Sequence, residues 1–195
     1  MKGLILMKLT KEDRKFLIET YPYLQPRNVW TDEIPDDYDY EYIRGERELP
    51  KGWFSLFLQM CEDISYPLAE AGYLDKFRFS QIKEKYNTMR CYNFGAPEEV
   101  HNIITKYEVM SRYICTRCGR PAAYETQGWY IESFCEDCWK DVARHEEVER
   151  LKPTFEYTHS IYSNGVETKE KVLFKEEWDR YLKIIDTKFL KKREN

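Results

Sequence analysis

The residues of this chain best suited to chemistry are four cysteines in two C-x-x-C pairs, Cys115-Thr-Arg-Cys118 and Cys135-Glu-Asp-Cys138. Sixteen residues separate the pairs, which is typical of a four-thiolate zinc site. Two residues between cysteines let both sulfurs of one turn face the same point, so two pairs close a tetrahedron. Four protein ligands leave no open position for water, so the predicted zinc ion (Zn²⁺) is structural and not catalytic.

Three other uses of four cysteines compete with zinc. Disulfides are disfavoured, because the first residues lack the features of a signal peptide and cytosolic thiols stay reduced. A redox-active C-x-x-C is disfavoured by the presence of two copies with a predicted hairpin between them. An iron–sulfur cluster also takes four cysteines and stays open as an alternative.

The elements that position the cysteines follow from their neighbours. Gly119 permits a sharp turn after the first pair, and residues 129–134 are typical of a strand. The residues after Cys138 predict a helix with Trp139 and Val142 facing inward. A cysteine turn, a hairpin and a second cysteine turn that opens a helix together predict a treble-clef-like, or zinc-ribbon-like, module.

The rest of the chain predicts an α+β protein in three segments. Residues 1–110 form a core of helices and a hairpin, residues 111–150 form the zinc module, and residues 151–195 form a C-terminal hairpin with an amphipathic helix. No apolar run approaches the roughly 20 residues of a membrane span, and we expect a cytoplasmic protein.

Residues 32–48 form an acidic segment with eight carboxylates against two arginines, a net charge of −6. Tyrosines alternate with carboxylates over residues 38–42, which predicts an extended strand with tyrosines on one face and acids on the other. The plain interpretation is an exposed loop with one half-buried strand. The alternative is a surface that mimics nucleic acid or binds a basic partner. Its candidate residues are Asp36, Asp37, Tyr38, Asp39, Tyr40 and Glu41.

Residues 76–94 predict a basic β-hairpin that turns at Asn87. Residues 76–90 carry five cations against one carboxylate, a net charge of +4, and aromatic residues lie between them. Such a surface suits phosphate groups or an acidic partner. Its candidate contacts are Lys83, Lys85 and Arg90. The plain alternative is an exposed strand face that pairs with the acidic segment, and that pairing would remove both surfaces.

The sequence contains none of the common phosphate-binding, dinucleotide-binding, zinc-protease or serine-hydrolase motifs, and its three histidines are scattered. Carboxylates are plentiful, but no pair stands out as an acid/base couple. The net charge of −4 does not favour nucleic-acid binding by the protein as a whole. We therefore expect a binding protein and not an enzyme.

The chain carries several motifs in order: Gly52-Trp53, residues 81–90, Cys115-x-x-Cys118-Gly119, Gly128-Trp129 and Cys135-x-x-Cys138. Together they resemble a family of small phage and prophage proteins. Their shared pattern runs roughly G-W … K-E-K-[FY]-G-x-[LM]-R-x-Y … C-x-x-C-G … G-W … C-x-x-[CH], and the likeness covers about residues 50–140. Asn87 stands where the family usually has glycine, and asparagine tolerates the same left-handed turn. The resemblance implies a phage origin and a module boundary, but no mechanism.

Together these features predict a non-catalytic, zinc-stabilised interaction protein of phage type in the cytoplasm of a bacterial host. Its expected role in evading host defence is to bind and inhibit or redirect a host protein, or a protein–nucleic-acid complex, such as a CRISPR-type or other defence nuclease. The alternative is a nucleic-acid-binding regulator that uses the basic hairpin and the zinc module.

Overall fold

The computed structural model describes residues 9–28, 30–94, 96–142, 147–163 and 166–191. Helices pack with small antiparallel sheets, which confirms the predicted α+β class. The helices are α1 (Lys11–Thr20), α2 (Phe54–Glu70), α3 (Glu98–Ser111), α4 (Glu136–Lys140) and α5 (Lys175–Lys191). The strands are β1 (Phe79–Lys85), β2 (Thr88–Asn93), β3 (Tyr124–Thr126), β4 (Ser133–Phe134), β5 (Val148–Arg150), β6 (Glu156–Ser163) and β7 (Val166–Leu173).

Helix α1 begins at a capping box. The Thr10 hydroxyl accepts a hydrogen bond from the Asp13 N–H at 3.1 Å, and the Asp13 carboxylate accepts one from the Thr10 N–H at 2.8 Å. These two bonds satisfy backbone donors that a helix start otherwise leaves unpaired. Helix α2 ends before Gly72, whose φ of +69° is the left-handed conformation of a glycine helix stop.

The main apolar core joins α2, α3, α5 and the β1–β2 hairpin. Several apolar residues of α2 recur at helical spacing, and all of them are fully buried, as that spacing predicts: Phe57, Met60, Cys61, Ile64 and Leu68. Tyr23 contributes a buried ring, and its hydroxyl donates to the Cys61 carbonyl at 2.5 Å. From α5, Trp178, Tyr181 and Ile185 enter the same core. Residues from both ends of the sequence therefore pack against α2 and α3.

The β1–β2 hairpin has the predicted position and turn. Its register pairs Lys85 with Thr88, and the two residues between them, Tyr86 and Asn87, have φ of +51° and +57°. Two successive positive φ values are the signature of a type I′ turn, which matches the twist of an antiparallel hairpin.

The other two sheets are also antiparallel. Strand β3 lies between β4 and β5, and β6 pairs with β7 over their whole length. The register joins Ser163 to Val166, which agrees with the predicted C-terminal hairpin, while residues 164–165 lie outside the described residues. None of the helices in the described ranges is long and apolar enough to cross a bilayer.

Three local expectations were wrong. The tyrosine-rich stretch 38–42 is irregular, with bends at residues 40 and 41, and forms no strand. In the stretch 129–134 only Ser133–Phe134 is extended. The helix of the cysteine region begins before Cys138, at Glu136, and ends at Lys140, while residues 143–146 lie outside the described residues. Short stretches follow their tertiary contacts more than their own periodicity, because few residues carry each pattern.

Candidate metal centre and the surfaces around it

The four predicted cysteine ligands meet at one point. Every Sγ atom lies within 4.8 Å of the others, and the sulfurs of Cys118 and Cys135 are 3.6 Å apart. Sulfurs at about 2.3 Å from one tetrahedral ion are roughly 3.8 Å from each other. All four cysteines are free of disulfide bonds. Their donor type and spacing fit a metal ion, so Cys115, Cys118, Cys135 and Cys138 can hold one.

The first cysteine pair lies on a tight loop, residues 115–119. The Cys115 N–H donates to the Arg120 carbonyl at 2.8 Å, and the Gly119 N–H donates to the Cys115 carbonyl at 3.0 Å. Gly119 has a φ of +79°, which a residue with a side chain rarely adopts. This turn brings both sulfurs of the pair to the same side of the loop.

The second pair is placed by the start of α4. Cys135 is the N-cap residue, and its sulfur accepts a hydrogen bond from the Cys138 N–H at 3.4 Å. A guanidinium nitrogen of Arg120 donates to the same sulfur at 3.4 Å. Both donors favour a thiolate at Cys135, because hydrogen bonds to a charged acceptor are strong.

The close approach of the sulfurs shifts the pKa values of the cysteines in different directions. Hydrogen bonds from Cys115 and Cys118 lower the pKa of Cys135, while the bonds that Cys115 makes with Cys118 and Cys135 raise its own pKa. Burial and the neighbouring sulfur of Cys118 raise the pKa of Cys138 to about 12. Four thiolates cannot gather at this spacing without a cation, so metal binding must displace protons from the site.

Few apolar groups surround the cysteines. Phe134 is buried against them, and Trp139 and Val142 are partly buried there. The Arg117 guanidinium lies 5.2 Å from the centre of the Phe134 ring. This small cluster depends on the cysteines themselves for much of its interior.

Residues next to the large core also form hydrogen bonds with the first cysteine loop, residues 115–119. The Gly52 N–H donates to the Thr116 carbonyl at 2.9 Å, and the Trp53 indole N–H donates to the Ile114 carbonyl at 3.0 Å. A Cβ atom on Gly52 would lie 2.0 Å from the Cys115 carbonyl oxygen, so only glycine fits there. The Gly52-Trp53 motif therefore contacts the first cysteine loop, which the sequence alone did not show.

Asn87 has a larger role than its sequence position suggests. Its side chain is fully buried, and its amide nitrogen donates to Glu125 at 2.8 Å and to the Ser133 hydroxyl at 2.6 Å. Arg112 forms two hydrogen bonds to the same glutamate at 2.6 and 2.8 Å. These contacts tie the hairpin turn to β3 and β4. The sequence predicted the turn at Asn87 but gave no sign that its side chain is buried.

The tyrosines of the acidic segment cluster although they form no strand. The rings of Tyr38 and Tyr40 are 5.2 Å apart, and those of Tyr38 and Tyr42 are 6.2 Å apart. The Tyr38 hydroxyl donates to the Tyr42 carbonyl at 2.7 Å. The cluster therefore gives this loop a defined shape.

The acidic candidates differ in how they are paired. Asp39 forms an ion pair with Lys11, and Glu41 lies 3.8 Å from Arg47. Asp36 and Asp37 are exposed, and neither forms an ion pair with another residue of the described ranges. Their two charges are available to a partner.

The basic candidates share the outer face of the hairpin. The register places Lys83 opposite Arg90, and Lys85 lies on the same face because side chains alternate along a strand. Ile82, Met89 and Cys91 occupy the other face and are buried.

Each cation of this face has a neighbour. Lys83 lies 5.1 Å from the centre of the Tyr92 ring and Lys85 lies 5.3 Å from that of Tyr86. Arg90 lies 3.6 Å from Glu108 of α3. Neither lysine forms an ion pair with another residue of the described ranges, whereas Arg90 is partly neutralised by Glu108.

The acidic segment and the basic hairpin pair little with each other. Within the part of the chain that the structure describes, their one ion pair is Asp32 with Arg78, at 3.9 Å. Glu46 instead pairs with Arg14 of α1 at 2.6 Å. The internal pairing that would have removed both surfaces therefore does not cover Asp36, Asp37 or the two hairpin lysines.

Comparison with known proteins gives no match to a protein-family model, to a curated protein or to a solved structure.

Proposed function

We propose that this protein is a non-catalytic binding protein whose shape is fixed by one structural zinc ion. Four cysteine donors at tetrahedral spacing favour zinc, and a single ion needs shorter sulfur–sulfur distances than a multi-iron cluster, in which the cysteines bind different irons. The β3–β4 pair followed by α4 favours a treble-clef-like arrangement. The ion holds residues 115–138 in place for the surfaces beside them.

The acidic segment is the proposed contact with a protein partner. The observation that carries this proposal is the exposure of Asp36 and Asp37, without ion pairs in the described ranges, on a loop shaped by the tyrosine cluster. A preformed acidic loop binds a basic surface with little loss of conformational freedom. The resemblance to phage proteins favours a host target, such as a nuclease of a defence system, whose nucleic-acid-binding surface is basic.

Affinity capture from phage-infected host cells, with and without nuclease treatment, tests this proposal. We expect the wild type to retain a basic host protein after nuclease treatment and the double variant D36K/D37K to lose it. The control E19K/E62K makes the same change of net charge at two exposed helix positions and should retain the partner. Equal capture by D36K/D37K and the wild type would exclude this surface.

A second candidate function is nucleic-acid binding by the outer face of the hairpin. The observation that favours it is the register, which places Lys83, Lys85 and Arg90 on one face. Three phosphate contacts to duplex DNA give a slope of about −2.7 in log affinity against log salt concentration. A gel-shift series over salt concentration measures that slope, and the absence of any shift at low salt would remove this candidate.

A further inference from the structure

An open groove lies beside the first cysteine loop. It has a volume of about 490 Å³ and is bounded by the turn at Lys51, by β1, by the loop that carries Arg117, and by the segment that contains Tyr130 and Glu132. That volume lies within the range of ligand sites in proteins. The groove shares no residue with the acidic candidates or with the three hairpin cations.

The charged residues that line the groove differ in their hydrogen bonds and ion pairs. Two of its carboxylates are held by the fold, since Glu84 accepts from the Asn87 N–H at 2.7 Å and Glu48 accepts from the Gly45 N–H at 2.9 Å. Glu48 also lies 3.2 Å from Arg44. By contrast, Lys51 and Arg117 form no ion pair with any described residue. The groove therefore presents two cations without ion pairs in the described ranges, Lys51 and Arg117, beside the carboxylates of Glu84 and Glu132.

One aromatic residue lines the groove with these cations, and a second is its neighbour in the sequence. Tyr130 lines the groove and is 55% exposed, and the adjacent Trp129 is fully exposed at 107%. Their turn is held in shape by Thr126, whose hydroxyl accepts from the Glu132 N–H at 2.8 Å and donates to the Tyr130 carbonyl at 3.2 Å. The turn therefore holds the exposed indole of Trp129 beside the residue that lines the groove.

We propose that this groove binds a short single-stranded segment of nucleic acid. Arg117 and Lys51 hold a phosphate, and Tyr130 and Trp129 offer flat faces on which unpaired bases stack. Nucleic acid supplies negative charge and an aromatic ring in each unit, and only unpaired bases expose a face for stacking. Glu84 and Glu132 at the same groove limit binding to that one phosphate, so affinity depends weakly on salt, with a slope of about −0.7 in log affinity against log salt concentration.

Fluorescence anisotropy with a short labelled oligothymidine, the matching oligouridine, the corresponding duplex and a labelled polyglutamate tests this site. We expect the zinc-loaded full chain to bind the single strands more tightly than the duplex. The variants W129A, R117Q and K51Q should each weaken binding, by about tenfold for the loss of the stacking ring. The zinc content of each variant is measured first, because Arg117 lies between two cysteines.

Matched controls separate this site from the other surfaces. W30A removes a tryptophan that is 93% exposed on another loop, and R47Q removes an exposed arginine of the acidic segment. Both should bind the oligonucleotide as the wild type does, and so should D36K/D37K, whatever that variant does to a protein partner. The proposal is overturned if the wild type binds neither single strand, if W30A weakens binding as much as W129A, or if polyglutamate binds more tightly than the oligonucleotides.

Discussion

The hydroxyl of Tyr181 donates a hydrogen bond of 2.6 Å to the carbonyl of Gly119, the residue that follows the second cysteine of the metal loop. Tyr181 lies on α5, and its side chain is fully buried. The last helix of the chain therefore touches the loop that carries half of the metal ligands. Burial, followed by the nearby sulfurs of Cys118 and Cys115, raises the pKa of Tyr181, so the phenol stays protonated and remains a donor.

Replacing Tyr181 with phenylalanine tests this contact. The variant keeps the ring in the core but leaves the Gly119 carbonyl without its donor, so we expect a loss of about 1–3 kcal/mol in the free energy of unfolding. Urea denaturation of the zinc-loaded protein measures it. The control is Tyr66→Phe, which removes an exposed hydrogen bond to Glu70 and should change stability by less than about 0.5 kcal/mol. Equal effects of the two variants would show that the bond to Gly119 has no special weight.

Gly52→Ala should be more damaging than its small size suggests. The added Cβ would lie 2.0 Å from the Cys115 carbonyl and 2.7 Å from the Gly119 nitrogen, and both contacts are with backbone that cannot move aside. We expect reduced zinc content and a loss of more than about 3 kcal/mol, as in other overpacked sites. Gly72→Ala is the control, because a Cβ there meets no atom within 4 Å and only its left-handed φ is strained, at about 1 kcal/mol. Thermal unfolding and metal analysis of both variants decide the point.

Asn87→Gly tests the side-chain hydrogen bonds of the hairpin turn. Glycine accepts the positive φ, so the backbone is unstrained, but Glu125 and Ser133 lose their buried amide donor. We expect a destabilisation of about 1–3 kcal/mol, measured by urea denaturation. Asn93→Gly is a matched control on the same hairpin, where the amide makes one long bond of 3.4 Å. A stable Asn87→Gly protein would show that the turn geometry alone is needed.

Asn87 also shows where sequence reasoning stops. Its turn was predictable, because asparagine between two alternating runs is a local signal. Its burial was not, because it depends on β3 and β4, which lie far along the chain and contact the turn only after folding. Gly52 is similar, since the atom that excludes a larger residue belongs to Cys115.

The features that were predictable carry their signal within a short stretch. The spacing of the cysteines within each pair predicts one shared metal site, and the four sulfurs lie close together as predicted. The buried face of α2 is predictable because apolar residues recur at helical spacing over several turns. The tyrosines of the acidic segment led to the wrong prediction of a strand, because three alternating residues also suit an irregular loop in which the rings contact each other.

Glu125 should make stability depend on pH in the acid range. Burial opposes its ionisation, but the hydrogen bonds from Arg112 and Asn87 outweigh that effect, so its pKa lies below the ordinary value. A carboxyl group whose pKa is lower in the folded protein stabilises the fold above its unfolded pKa, about 4.3, and this contribution is lost as pH falls through the folded value. The stability difference between the wild type and Glu125→Gln should therefore be constant near neutral pH and shrink below about pH 4.

Urea denaturation at a series of pH values measures this difference. A difference between the wild type and Glu125→Gln that grows on acidification would contradict the assignment, because it would mean that the folded protein prefers the protonated carboxyl group.

Removal of the metal should loosen more than the cysteine loop. We expect the untreated protein to contain one zinc ion per chain by mass spectrometry, without the visible absorption of iron–sulfur centres. The apolar cluster around the cysteines is small, and the loop is tied to the large core through Gly52, Trp53 and Tyr181. Structural zinc in zinc-finger peptides binds with about 10–16 kcal/mol, which is comparable to the whole stability of a domain. A strong chelator should therefore lower the unfolding temperature sharply, and added zinc should restore it.

Cys138→Ala should lose zinc, whereas Cys61→Ala, which replaces a buried thiol in the large core, should retain zinc although the variant is less stable. A protein that is free of metal as purified, and whose melting does not respond to chelator or zinc, would show that the four cysteines are thiols without a metal-binding role.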